Sequence, residues 1–269
     1  MCELMGYSFA KPIVADFSIH EFGFRGEENA DGWGLAWYPD RSLAIIKDVG
    51  KWKSDLHTGF LETYAGIRSR IFVAHVRHMT AGRAVRADTH PFSRELNGVD
   101  YCFAHNGTLM NAYKLPLGRF KPIGHTDSEH LFCHLLDTIA HWNKPLADPE
   151  TWPRLHQQLA EHNRHGTVNV ILSDGKHLIC YHDATGWKGL HYRYMLIHDQ
   201  ETRRFEDADL RVDLGGGHVN FGIVIATRPL SLTGWSPFLT GEMLVLENGT
   251  VRYSSHRANL ALAEMTKAS

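Results

Sequence analysis

The sequence has no run near the roughly 18 uninterrupted apolar residues that a membrane-spanning helix requires. Its opening residues, Met1-Cys2-Glu3-Leu4-Met5-Gly6-Tyr7-Ser8, show no basic stretch followed by an apolar one. No secretory signal is read there, and a cytoplasmic location is expected. Blocks of like charge are also missing: 28 Lys and Arg stand against 30 Asp and Glu, a formal net charge of −2. That excludes the basic footprint of a nucleic-acid binder. The four cysteines, Cys2, Cys102, Cys133 and Cys180, lack CxxC spacing, which points to thiols in a reducing compartment. There is no GxxxxGK[ST] phosphate loop and no HExxH, and Gly215-Gly216-Gly217 does not open a helix. A nucleotide cofactor has no support.

What remains is an ordinary globular composition, with 43% hydrophobic and 22% charged residues over 269 positions. At about 150 residues per domain this length allows one large domain or two small ones. No repeat, low-complexity tract or linker divides it, so residues 1–269 are expected to form a single domain.

Most segments read as strands. Asp31 to Tyr38 and Leu43 to Val49 form a hairpin across Pro39-Asp40-Arg41-Ser42. Ile71 to Met79 and Tyr101 to Ala104 look like buried strands, the second ending in a turn at His105-Asn106-Gly107. Further strands are expected at Val168–Leu172, His177–Tyr181, Tyr194–His198, Phe221–Thr227, Met243–Glu247 and Val251–Ser254, with turns at Ser173-Asp174-Gly175 and Glu247-Asn248-Gly249. Helical spacing appears over Ser54 to Ser69, Thr126 to Trp142 and Trp152 to Arg164. Thr126-Asp127-Ser128-Glu129 fits a capping box. Ala112 to His125 and Thr202 to Gly217 read as long loops.

Nineteen histidines raise a metal alternative. His130, Cys133, His134 and Asp137 fall at i, i+3, i+4 and i+7 of one helix, near one face. A mixed helix surface is the preferred reading over a metal site, because metal ligands usually converge from more than one element.

Cys2 stands directly after the initiator. Removal of Met1 would leave a thiol and a free amine on one residue, and an amine with an ordinary pKa of about 7.7–8.0 can take the thiol proton. The plain alternative is a small apolar residue starting a strand. Asn106 and Gly107 offer two donors for an oxyanion, or a simple Asn-Gly turn. Arg77, beside an apolar strand, suits a ligand carboxylate or an internal ion pair. Asp127 at a helix start could receive an ammonium group, or be there because the helix dipole favours acids.

Taken in order, Met1-Cys2-Glu3-Leu4, Asp31-Gly32-Trp33-Gly34-Leu35-Ala36, Ala74-His75-Val76-Arg77 with Thr80 and Gly82, Thr89-His90-Pro91-Phe92, Ala104-His105-Asn106-Gly107-Thr108-Leu109 and Thr126-Asp127-Ser128-Glu129 resemble the class II glutamine amidotransferases. These belong to the N-terminal nucleophile hydrolases. The resemblance implies an α+β fold, a four-layer αββα sandwich of two antiparallel sheets between helical layers. It implies Cys2 as nucleophile, Asn106 and Gly107 as oxyanion hole, Arg77 on the substrate α-carboxylate and Asp127 on its α-amino group. Thr80 and His90 join the substrate-binding positions, and no cofactor or metal is called for. Where the family often has an aromatic residue after the arginine, this chain has His78.

The expected activity is hydrolysis of the γ-amide of glutamine or of a γ-glutamyl amide through a thioester on Cys2. Two alternatives accompany it: a glutaminase subunit delivering ammonia to a synthase partner chain, and a non-catalytic histidine-rich metal-binding protein on the same scaffold. The expected partner is otherwise a small-molecule substrate, with neither nucleic acid nor membrane involved.

Overall fold

A computed structural model of the chain describes residues 2–17, 31–50, 67–77, 85–197, 210–213 and 220–257. Along the chain run strands β1 (Glu3–Phe17), β2 (Trp33–Trp37), β3 (Ala44–Asp48), β4 (Arg68–Val76), β5 (Phe92–Leu96) and β6 (Val99–Leu109). Helices α1 (Asp127–His141) and α2 (Trp152–Asn163) follow. The remaining strands are β7 (Gly166–Ser173), β8 (His177–Tyr181), β9 (His191–Ile197), β10 (Leu210–Asp213), β11 (Asn220–Ala226), β12 (Ser236–Pro237), β13 (Met243–Glu247) and β14 (Thr250–Ser254).

The described strands make two antiparallel sheets. One has the order β12-β9-β11-β1-β4-β2-β3, with β10 also on β1, and the other β14-β13-β8-β7-β6-β5. Alternation along each strand sorts the core into separate seams. Leu4, Ile71 and Val73 from the first sheet meet Cys102, Ala104, Ile171 and Leu244 from the second. Met5, Tyr7, Trp33, Leu35 and Phe72 point the other way, so the first sheet is buried on both faces. The far face of the second sheet packs on α1 and α2 through Phe103, Val170, Phe132, Leu135 and Leu159. Phe103 and Phe132 stack with centroids 5.0 Å apart. Each such fully buried side chain contributes about 1.5–3 kcal/mol of transfer free energy.

Helix α1 begins as its sequence dictates, though only half of the capping box forms. Thr126 Oγ1 accepts the Glu129 N–H at 3.1 Å. The Glu129 carboxylate instead accepts from Arg94 at 2.6 Å and from the Gly124 N–H at 2.7 Å. The cap therefore also ties down the chain ahead of the helix.

Several boundaries differ from expectation. The helix expected over Ser54 to Ser69 lies almost wholly outside the described residues, and at its end Arg68 and Ser69 already belong to β4. Strand β6 does not stop at Ala104: it continues to Leu109, pairing Asn106 with Asn169 and Gly107 with Val168, so Asn106-Gly107 is not a turn. Part of the expected loop Thr202 to Gly217 is strand β10, paired with the end of β1. Strands β1 and β5 are additions, the latter joined to β6 through Asn97 and Gly98, both at positive φ, 53° and 78°.

Candidate active site

Strand β1 lies between β4 and β11, so its first residues are held from both sides. The Leu4 N–H donates to Thr227 Oγ1 at 2.8 Å, and the Thr227 N–H returns a bond to the Leu4 carbonyl at 3.1 Å. Pairing of Glu3 with Val76 carries on toward Arg77, which places Cys2 and Arg77 at the same rim of the first sheet. The Arg77 N–H donates to the Gly32 carbonyl at 2.8 Å. Its Nη1 is buried and has no hydrogen-bond partner among the described residues. A charge in that state is stabilised by an anion that fits against it.

The second sheet supplies the facing group. Cys102 and Ala104 point into the seam between the sheets, and Asn106 shares their side of β6. From there Asn106 Nδ2 donates to the Cys2 carbonyl at 2.8 Å. The strand behind it is braced by a buried polar network. Asn169, opposite Asn106, donates to the Trp187 carbonyl at 2.9 Å and accepts the Asp183 N–H at 3.1 Å. Asp183 in turn accepts from Val168 N–H and Asn163 Nδ2, both at 2.7 Å. Against the upward pull of burial, these bonds and those from Thr185 hold its carboxyl below the usual carboxylate range.

Gly107 is glycine for lack of room. A Cβ there would collide with the Thr167 carbonyl oxygen and with His105 Nε2. His105 faces the helical layer, its Nε2 3.1 Å from the Thr167 carbonyl and its Nδ1 2.8 Å from Ser128 Oγ. Since a carbonyl only accepts, Nε2 carries the proton and Nδ1 accepts from the serine. Asp127, the first residue of α1, accepts the Leu109 N–H on Oδ2 at 2.6 Å. The second sheet's strand and the helix start are thereby joined two residues beyond Gly107.

His90 is buried, with its ring 4.3 Å from that of His75 and 4.5 Å from Phe92. Among the described residues, none of the four imidazole nitrogens of His75 and His90 has a hydrogen-bond partner. Burial, reinforced by Arg77 and His105, pushes His75 down to about 3, and burial with His75 pushes His90 far below its ordinary value. Thr80 lies outside the described residues.

Nothing in the sequence singles out Lys47, beyond a charge amid the apolar residues of β3. Its Nζ donates to the Thr89 carbonyl at 2.6 Å and the Pro91 carbonyl at 3.1 Å, gripping the segment on either side of His90. Burial lowers its pKa to about 8.

The four polar residues on one face of α1 do not converge. His130 Nε2 bonds the Leu115 carbonyl at 3.0 Å and His134 Nδ1 the Pro116 carbonyl at 2.8 Å. The Asp137 carboxylate accepts from the N–H groups of Gly118, Arg119 and Phe120. Cys133 is packed in the helical core. Together they hold the loop ahead of α1, and among the described residues no group of three or more His, Cys, Asp or Glu is placed to hold a metal ion. No described helix is long and apolar enough to cross a membrane.

The chain is similar to known proteins along nearly its whole length. Residues 1–268 match the family model for glutamine amidotransferases class-II. The chain is 37% identical over 268 residues to the uncharacterized protein MJ1515 of Methanocaldococcus jannaschii, covering 96% of this chain and 72% of that one. It is 31% identical over 261 residues to a protein of Escherichia coli provisionally named glutamine amidotransferase YafJ, covering 90% of this chain and 96% of that one. The crystal structure of a predicted glutamine amidotransferase from Pseudomonas aeruginosa superimposes with a TM-score of 0.68 at 27% identity, over 94% of this chain and all of that one. With two stacked antiparallel sheets and a cysteine at the head of a central strand, the chain belongs to the class II glutamine amidotransferases and has their αββα, N-terminal nucleophile fold.

Proposed function

We propose that the protein cleaves the γ-amide of glutamine or of a γ-glutamyl amide through a γ-glutamyl thioester on Cys2, residues 1–269 acting as one amidotransferase domain. The observation that carries this reading is the bond from Asn106 Nδ2 to the Cys2 carbonyl at 2.8 Å, which brings an amide donor from the second sheet onto the nucleophile residue of the first. An asparagine amide has two N–H bonds. One orients the group on Cys2, and the other is left for an oxyanion.

The chemistry requires Met1 to be removed. The exposed amine of Cys2 takes the thiol proton as Sγ attacks the γ-carbonyl carbon, and the carbonyl π electrons move to oxygen. Asn106 and the Gly107 N–H hold that oxyanion. The amine then passes its proton to the leaving nitrogen, the C–N bond breaks, and ammonia or an amine departs. Water, deprotonated by the same amine, attacks the thioester, releasing the γ-carboxylate and restoring the thiol. Arg77 receives the α-carboxylate in this scheme and Asp127 the α-ammonium, with Thr80 and His90 as further substrate-binding positions. Every step is carried by protein groups and water, so no cofactor enters the scheme.

Mass spectrometry of the purified chain, followed by assays against glutamine and a panel of γ-glutamyl amides, tests the reading. The active species is expected to begin at Cys2, and Cys2→Ala to abolish turnover. Undiminished hydrolysis by Cys2→Ala, or by protein retaining Met1, overturns it.

A further inference from the structure

Strand β1 is apolar around its start, with Leu4, Met5 and Tyr7 all buried, yet a buried acid, Glu3, stands one residue after the nucleophile. Antiparallel pairing of Met5 with Ala226 continues outward to set Glu3 against Arg228. The Arg228 Nε–H donates to Glu3 Oε1 at 2.7 Å, the acid side chain 3% exposed and the arginine 47%. Burying a carboxylate is unfavourable without a partner, so the position asks for an explanation beyond packing.

We propose that the Glu3–Arg228 pair tunes the amino group of Cys2, keeping it able to accept the thiol proton at neutral pH. This rests on the reading above, in which Cys2 is the mature terminus. A lone carboxylate this near would favour the ammonium form, which has no lone pair with which to take a proton. Arg228 offsets that field and, with the Thr227 bonds to Leu4, fixes the end of the strand from the β11 side. Among the described residues, the other charged or titratable groups that the fold brings to this end are Arg77 and His75 on β4, His191 on β9, whose Nδ1 lies 3.0 Å from the Thr227 carbonyl, Asp31 ahead of β2, and Asp127 at α1 behind Asn106. Arg77 acts in the same sense as Arg228, Asp31 and Asp127 oppose it, and His75 stays neutral. Glu3 and Arg228 touch no reacting atom in this account; both act through the amine as positioning residues.

The test is the acidic limb of the kcat/KM profile with L-glutamine and γ-glutamyl-p-nitroanilide, using chains shown by mass to begin at Cys2. Arg228→Gln is expected to move the limb to higher pH by about half a unit or more, Glu3→Gln to lower pH, and the double variant back toward the parent. Added salt should shrink the shift in Arg228→Gln, since that side is half exposed. A limb that stays in place in both single variants overturns the inference. Should Arg228→Gln fail to fold, Glu3→Gln alone decides, because a purely structural pair predicts lower activity with no downward displacement of the limb. If Cys2→Ala is inactive while the limb does not move, only this inference fails. If Cys2→Ala is active, the underlying reading fails instead.

Discussion

Asn106 reaches from the second sheet to the first and donates its side-chain N–H to the carbonyl of Cys2, 2.8 Å away and 104 positions earlier in the chain. One residue thus links the sheets at the rim where Cys2 sits, and the link depends on a side chain whose second N–H is uncommitted to Cys2. Asn106→Ala removes both. Loss of one oxyanion donor typically costs about 2.7–4 kcal/mol, so kcat toward a γ-glutamyl amide should fall about 10²- to 10³-fold. Asn106→Asp should fall at least as far, because a carboxylate cannot donate and repels an oxyanion. Stopped assays with the circular dichroism of each variant check this; a drop of less than about fivefold in folded Asn106→Ala would remove Asn106 from the oxyanion hole.

Gly107 predicts a loss of stability ahead of any loss of chemistry. A methyl at this position meets the Thr167 carbonyl and His105 Nε2, both belonging to paired strands that cannot withdraw independently. Overpacking of this kind costs about 1–3 kcal/mol or more. Gly107→Ala should therefore lower Tm by several degrees, at roughly 2–4 °C per kcal/mol for a chain of this size class. Differential scanning calorimetry reads it directly.

These two residues also show where sequence reasoning ends. Asn106-Gly107 carries the composition of a turn, and local propensity cannot reveal that the glycine is needed because a neighbouring backbone lies against it within a continuous strand. Asn97-Gly98, with the same composition, is a true hairpin turn. Strands with clear edges in the pattern, such as β8 and β13, fall where periodicity puts them. The long β1 escapes because it is buried on both faces, and Pro12 interrupts it where its register with β4 shifts between Ser8 and Ile13. The Thr126 cap is legible from a local motif, whereas Cys2 and Asn106 stand out only through the ordered set of motifs that resembles the family. Lys47, the Glu3–Arg228 pair and the Asn163–Asp183–Asn169 network are not, since each acquires its role from a partner supplied by a distant strand or turn.

Acid should destabilise this protein earlier than carboxylate titration alone would. His75 is pushed down to about 3 and His162 to about 4, both chiefly by burial, and His90 is lowered well below its ordinary value. In the unfolded chain these groups take protons near pH 6.5. Between about pH 6.5 and 4 the unfolded state then binds more protons than the folded one, so stability rises with pH across this window and is lost on acidification. The Asp183 carboxyl, lowered by its hydrogen bonds, adds a separate loss at more acidic pH. Urea midpoints should fall steadily as the pH drops from about 6.5 toward 4, and above about pH 8 the lowered Lys47 should make them rise with pH. His162→Gln should flatten the slope between pH 6 and 5, and an unchanged slope would assign it to other groups.

Asp137 separates a brace from a metal ligand. Its carboxylate accepts three consecutive backbone N–H groups from Gly118, Arg119 and Phe120, while His130 and His134 take hold of the carbonyls just before them. An acid used in this way acts as a cap for a loop, and replacing it leaves buried or half-buried donors without an acceptor at about 1–3 kcal/mol. Asp137→Asn keeps one acceptor oxygen and should lose less than Asp137→Ala. The ordering Ala worse than Asn, with the same Tm values in buffer containing chelator or added zinc, is the expected result of thermal melts. Stabilisation by zinc that disappears in Asp137→Ala, His130→Ala and His134→Ala alike would instead mean that these side chains leave the loop to bind an ion, because only a ligand bound to the folded state raises its Tm by mass action.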